Sequence, residues 1–349
     1  MCLAARQQIC DREHGLLIEQ LRRRLLLGVL LGVVVVSAII LIADASALAD
    51  AFRAFDWRLT PVIIGAILFN YILRFVKWQY YLRLVKVEGL RHTDSGLIFV
   101  SGFTMVMTPG KLGELLKAYL VRNRAGTALS KMIPVVLIER ITDGMATLLL
   151  IGIGVIVFPF GWPIFVGGLL AASTLLVLVQ REALVSRVLN RLRSTRIRAR
   201  VNTLESLYIS SRFLLSTRPL LVAVGLGLVS WFGECVAFFV ILVGLGVEPS
   251  PHLLLAATFV FGVSAWAGAL SFLPGGLGAT EASAVALLTV TITDASMNES
   301  VAVAATLLMR FATLWFGVFL GVIALAIVSR WPTDIDSSRD TIDRGEPAQ

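Results

Sequence analysis

Apolar residues run along the chain in long blocks separated by short basic or polar segments. Six blocks, 25–43, 59–82, 131–158, 161–179, 219–243 and 301–328, read as full spans, since a bilayer core takes about 20 apolar residues in a helix. Two further apolar stretches, 95–121 and 253–292, are interrupted by related phrases, TPGKLGELLKAYL over 108–120 and LPGGLGATEASAV over 273–285. Both phrases read Pro-Gly-x-Leu-Gly and are soon followed by Glu. Proline removes a backbone donor and glycine admits conformations other residues avoid, so each phrase breaks a helix. Broken backbone at membrane depth is tolerated where protein buries it or where it lines a wet cavity.

The segments between blocks set an orientation. Residues 1–24 hold five Arg, 83–95 hold Arg83, Lys86 and Arg91, and 180–218 hold nine Arg. Segments 244–252 and 293–300 hold no Lys or Arg. The positive-inside rule then places both termini in the cytoplasm, which six spans allow. On that orientation, 95–121 starts and ends on the inner face and 253–292 on the outer face. Each half also reads break, short helix, then a span bearing an arginine: Arg140 follows Pro109 by 31 residues and Arg310 follows Pro274 by 36. The predicted fold is an all-α polytopic membrane protein, six full spans plus two re-entrant or broken helical hairpins in an inverted repeat.

The rest divides simply. Residues 1–24 form a cytoplasmic N-terminal segment and 25–329 the transmembrane domain. Arg22–Arg24 ahead of a 19-residue apolar run read as the flank of a retained first helix, with cleavage near Ala47 as the alternative. Within the domain, 180–218 alternates Arg with Leu, Val and Ile, as amphipathic helices on an anionic inner surface do. Residues 330–349 read as a disordered cytoplasmic tail.

Composition agrees with this class: 57% of residues are hydrophobic and 15% charged, against about 25% charged in a soluble domain. The net charge of +8 does not point to nucleic acid, because the basic residues sit between apolar runs, where they orient the chain and meet anionic headgroups. Cys2, Cys10 and Cys235 form no close pair, and His14, His92 and His252 lie far apart. No metal site and no cofactor is expected.

Candidate chemistry lies in the charges inside apolar helices. Glu139 and Asp143 share a helix face at i,i+4, and Arg140 neighbours Asp143 at i,i+3. They serve either as a buried ion pair fixing register or as a site wall. Lys111, Glu114 and Lys117 follow the first break, where free helix N–H groups and Lys111 suit an anion such as phosphate; Lys117 alternatively snorkels to the surface. Glu281 follows the second break, and capping the helix, pairing with Arg310 and carrying a proton all remain open for it. Arg74 and Lys77 lie toward the inner end of the second span, where snorkelling beside an aromatic belt accounts for them, with a substrate role as the alternative.

TPGKLGELLKAYLVRNRAG, VVLIERITDG and FLPGGLGATEASAVALL resemble the lysylphosphatidylglycerol synthase transmembrane-region family, and LRFVKWQYYLRL is similar to its basic-aromatic second helix. The resemblance covers about 25–328. It is the flippase-like domain of the multiple peptide resistance factors, also found alone, and it implies movement of a lipid between leaflets. The soluble aminoacyltransferase domain of two-part members is absent from these 349 residues, so enzymatic aminoacyl transfer is not implied. Carried over residue by residue, the motifs select Pro109, Gly110, Lys111, Gly113, Glu114, Lys117, Glu139, Arg140, Asp143, Pro274, Gly275, Gly276, Gly278, Glu281 and Arg310.

The sequence thus leads to an inner-membrane flippase-like protein handling an anionic or phosphate-bearing lipid, of phospholipid or polyprenyl-phosphate type. A secondary transporter of a small soluble anion, or a non-transporting partner presenting lipid to a glycosyl- or aminoacyltransferase, uses the same residues and stays open.

Overall fold

The computed structural model describes residues 30–35, 37, 45–108, 114–182, 185–187 and 198–331. Its α-helices, in chain order, are α1 (Ala45–Ala54), α2 (Thr60–Leu84), α3 (His92–Ser101), α4 (Leu116–Ala125), α5 (Leu129–Val155), α6 (Trp162–Gln180), α7 (Arg198–Leu214), α8 (Thr217–Gly244), α9 (Pro251–Leu270), α10 (Ala279–Thr291), α11 (Glu299–Arg310) and α12 (Phe316–Val328). No strand occurs among the described residues.

Among the described residues five helical stretches are long and apolar enough to cross a membrane: Trp57–Leu84, Pro159–Gln180, Thr217–Gly244, Pro251–Leu270 and Glu299–Val328. Four match expected spans. The expected span at 131–158 is α5, which has the length, with 27 residues, but carries Glu139, Arg140 and Asp143. The apolar run 25–43 is described only at 30–35 and 37, which are helical. Residues 1–24 and 332–349 lie outside the described residues.

The fifth stretch departs from expectation. The first arm of 253–292 is α9, 20 residues long, or about 30 Å, where a short half-helix was expected. The break at Pro274 comes late enough in the apolar run to leave a full span ahead of it. Its second arm, α10, has 13 residues, about 20 Å. In 95–121, by contrast, α3 and α4 have 10 residues each, about 15 Å apiece, with a 3-10 turn over Gly102–Met107 between them. The Pro109–Gly113 part of that break lies outside the described residues.

Helices α2, α5, α8 and α9 form the centre. Asn70 ties α2 to α8 by donating to the Ser230 carbonyl at 3.0 Å and to its Oγ at 2.9 Å. Helix α12 lies against α3 and the Gly102–Met107 turn. The described part of 180–218 includes α7, which packs on α5 with Val201 and Leu214 buried. Most large side chains of α6 are exposed, as suits a helix facing lipid.

The two breaks meet. Met107, at the end of the first 3-10 turn, packs with Leu277, Leu314 and Val318, and its Sδ lies 3.3 Å from where a Cβ on Gly275 would sit. The second break is a 3-10 turn over Pro274–Gly276. Gly276 has φ +66, and a Cβ there would lie 2.9 Å from the Gly268 Cα. Only glycine suits both the dihedral and the approach to α9. Gly276→Ala is expected to cost about 1–2 kcal/mol and to lower the melting temperature in detergent. Gly65→Ala, in open space on α2, is expected to melt no lower than the wild type.

Candidate functional site

A single charge at the bilayer centre costs roughly 2.5–3.5 kcal/mol on insertion scales. Arg74, Arg140, Glu234 and Arg310 each lie about 15 Å or more from both ends of their spanning helices, so their partners decide what they are for.

Around Arg140 the charges interlock. Its guanidinium donates to Glu139 Oε1 at 2.6 Å and ion-pairs with Asp143 Oδ2 at 3.1 Å and Glu114 Oε2 at 3.1 Å. Lys117 donates to Glu139 Oε2 at 2.7 Å. Its ammonium also lies 4.9 Å from the Trp78 ring centroid, a cation–π contact. Lys77 donates to Asp143 Oδ1. Lys77, Lys117, Glu114, Glu139 and Asp143 are all buried, so neither lysine snorkels. The aliphatic stem of Lys117 passes the face of Gly102, which directs the ammonium inward to Glu139 rather than outward to a surface.

Arg310 forms a second, smaller cluster. It donates through Nε to Glu281 Oε1 at 2.6 Å and through Nη2 to the Gly275 carbonyl at 2.6 Å. Glu281 Oε2 accepts from the Gly278 backbone N–H at 2.7 Å. Glu281 therefore both caps α10 and pairs with Arg310, which joins two of its three expected roles. Arg310 is followed by a π turn over Phe311–Trp315, and Tyr71 donates to the Thr313 carbonyl in it at 2.9 Å. Each arginine thus grips the carboxylate that follows a helix break: Arg140 holds Glu114, and Arg310 holds Glu281.

Both arginines border one cavity of about 460 Å³. Arg74, Arg140 and Asp143 line it, as do Arg310, Gly275 and Gly276, and so does Glu234 from α8. Most of the remaining lining is apolar or aromatic, including Phe103, Trp231, Phe261 and Trp266. Leu270, Phe272 and Leu273 also line it and are exposed on the outside of the protein, so the cavity has an apolar rim. Phe272 holds φ at +54, a strained conformation for a bulky residue.

The structure splits the sequence candidates. Arg140, Asp143, Arg310, Gly275 and Gly276 reach the cavity. Glu114, Lys117, Glu139 and Glu281 stand behind it as ion-pair partners. Pro274 and Gly278 shape the second break, where Gly278 has φ +85. Pro109, Gly110, Lys111 and Gly113 lie outside the described residues. Sequence reasoning passed over Glu234, Trp231 and Ser264 and read Arg74 and Lys77 first as snorkelling, with a substrate role as the alternative. For Glu234 a signal existed, a lone carboxylate inside the 28-residue apolar helix α8. Among the described residues no group of His, Cys, Asp and Glu is placed to hold a metal.

A family model of the lysylphosphatidylglycerol synthase TM region matches residues 27–321. The chain belongs to this family. A UPF0104 membrane protein of Methanothermobacter thermautotrophicus (strain Delta H) is 26% identical over 330 residues, spanning 85% of this chain and 93% of its own. The protein is therefore a multi-pass, helical member of the lysylphosphatidylglycerol synthase TM region family.

In this family member the buried ion pairs carry a stability consequence. Removing one partner of a buried pair leaves a charge without compensation, at a cost of roughly 3–5 kcal/mol. Lys77→Met is expected to destabilise the protein by about that much in a detergent melt. Adding Asp143→Leu is expected to recover part of the loss, and a double-mutant cycle measures the coupling.

Proposed function

We propose that the protein is a flippase-like carrier of an anionic or phosphate-bearing lipid headgroup across the inner membrane, with both termini cytoplasmic. The observation that carries this reading is the cavity itself. It holds three guanidinium groups, Arg74, Arg140 and Arg310, against two lining carboxylates, Asp143 and Glu234. Glu114, Glu139 and Glu281 behind the lining balance the cluster as a whole, so an anion is drawn to the guanidinium-rich lining itself and above all to Arg74, whose one carboxylate contact is 4.0 Å long. The apolar rim of Leu270, Phe272 and Leu273 suits a lipid, whose tails stay in the bilayer while the headgroup sits among the charges. A carrier of a soluble anion needs no such rim.

The breaks supply the moving part of this reading. Unwound backbone and short helices meeting near midplane are the recurring site architecture of inverted-repeat transporters. Here Met107 of one break touches the turn of the other, and each break is held by its own arginine–glutamate pair. A headgroup phosphate competing for either guanidinium weakens that hold, which couples occupancy to the geometry of the break. The arginine-rich segments support the inward orientation. The membrane-lipid substrate is of phospholipid or polyprenyl-phosphate type, and a lipid-modifying transferase that supplies or consumes it is the partner this reading suits.

Headgroup translocation in proteoliposomes tests the proposal, with labelled phosphatidylglycerol, its lysyl ester and a short-chain polyprenyl phosphate. The wild type is expected to accelerate at least one of them. Arg140→Ala and Arg310→Ala, each confirmed as folded, are expected to lower that rate by about 10-fold or more, the loss of at least 1.4 kcal/mol of transition-state stabilisation. No acceleration of any lipid by the wild type contradicts the proposal and leaves a soluble-anion carrier or a lipid-presenting partner. Acceleration unaffected by either arginine change places the site elsewhere.

A further inference from the structure

Arg140 and Arg310 spend donors on carboxylates and on a backbone carbonyl. Arg74 does not. Its Nε is buried without a hydrogen-bond partner, and its one ion pair, to Asp143 Oδ2, is 4.0 Å long. Its side chain is 10% exposed. The guanidinium is held instead by aromatic rings, 5.3 Å from the Trp231 ring centroid and 5.5 Å from that of Phe103. Trp231 Nε1 is also buried without a partner, as is Ser264 Oγ. Arg74, Trp231 and Ser264 stand on α2, α8 and α9, and all three line the same cavity. They are also linked in space: Trp231 packs on Phe261, with ring centroids 6.1 Å apart, and Phe261 precedes Ser264 by three residues, on the same face of α9.

We propose that Arg74, Trp231 and Ser264 form the seat of the anion, contacting the phosphate oxygens directly, while Arg140 and Arg310 act from the walls. This rests on the function proposed above and deepens it by naming the contacts. A buried donor left unpaired costs about 1–3 kcal/mol, and three converging on one cavity are accounted for by an acceptor that is bound during function. A tetrahedral phosphate monoanion or dianion offers several acceptor oxygens and a charge to match the guanidinium. The rings hold the Arg74 guanidinium without consuming its donors, so an acceptor that reaches it meets no competing hydrogen bond. A neutral headgroup would leave Arg74 unmatched.

The test uses full-length protein in nanodiscs and compares the wild type with Trp231→Phe, Ser264→Ala and Arg74→Gln. Two probes separate the sources of phosphate, a short-chain fluorescent phosphatidylglycerol and water-soluble glycerol phosphate, both read by equilibrium binding. Ser264→Ala removes only a hydroxyl, whereas Trp231→Phe removes the N–H together with part of the bicyclic ring, so affinity for the lipid probe is expected to fall about 10-fold in each, and by more in Arg74→Gln, because hydrogen bonds to charged groups are worth about 1.5–3 kcal/mol. Ligand-free melting supplies the readout that a structural role would move the other way. Deleting an unpaired donor removes an unmet cost, so Ser264→Ala is expected to melt no lower than the wild type, while Trp231→Phe also loses ring packing. Lipid-probe binding that is unchanged in Trp231→Phe and Arg74→Gln, while the wild type binds, overturns the seat and leaves the proposed function standing. A clear loss of melting temperature in Ser264→Ala also overturns it, since that donor then has a structural partner. Binding of glycerol phosphate as tight as that of the lipid keeps the seat but assigns it to a soluble anion. No binding of either probe to the wild type overturns the seat, and the translocation assay with all three lipids then decides the proposed function separately.

Discussion

Charge in an apolar bundle has to be neutralised locally, and the rest of this structure follows from how that is done. Arg74, Lys77, Lys117, Arg140 and Arg310 stand against Glu114, Glu139, Asp143, Glu234 and Glu281. Each of these charges is costly alone at membrane depth. Interlocked, they fix helix registers and hold the broken segments. Arg140 reaches Glu114 just beyond the first break, and Arg310 reaches Glu281 and the Gly275 carbonyl in the second. Without the Arg310 grip, the Gly275 carbonyl in the second break would be left unmatched in a medium that cannot solvate it.

The division between spent and unspent donors gives the site its direction. Lys77 and Lys117 are buried and paired with Asp143 and Glu139, so they set the field and the geometry. Arg74 keeps its donors free between two aromatic rings. An anion entering the cavity meets an available guanidinium first and the held ones second. A carrier needs that gradation, because a site that bound only through fully committed ion pairs would have nothing to offer a substrate, and one built of free charges would not fold.

Much of this was legible in the sequence. The apolar blocks located four of the five spans found among the described residues, and the Pro-Gly phrase at 273–285 marked the second break because proline and glycine act on local backbone alone. Glu139, Arg140 and Asp143 stood out because three charges in an apolar run need an explanation. Other features depend on which helices touch. Lys77 and Lys117 resembled snorkelling side chains because a lysine near a helix end usually is one, and only packing against α5 turns them inward. Trp231 and Ser264 carry no charge, so nothing in sequence separates them from ordinary core residues. The length of the α9 arm was misjudged because a breaker announces where a helix ends and not how far back it began.

The central claim is that two halves of the chain, each with a gripped break, share one anion site. A double-mutant cycle on phosphatidylglycerol binding measures it directly, with Arg140→Gln, Arg310→Gln and the double variant, each checked for folding. A shared site predicts that the double variant departs from the sum of the single losses by more than about 0.5 kcal/mol, because both arginines act on one bound headgroup. Additive losses would mean that the two arginines serve separate places, and the account of a single cavity closed by both breaks would be wrong.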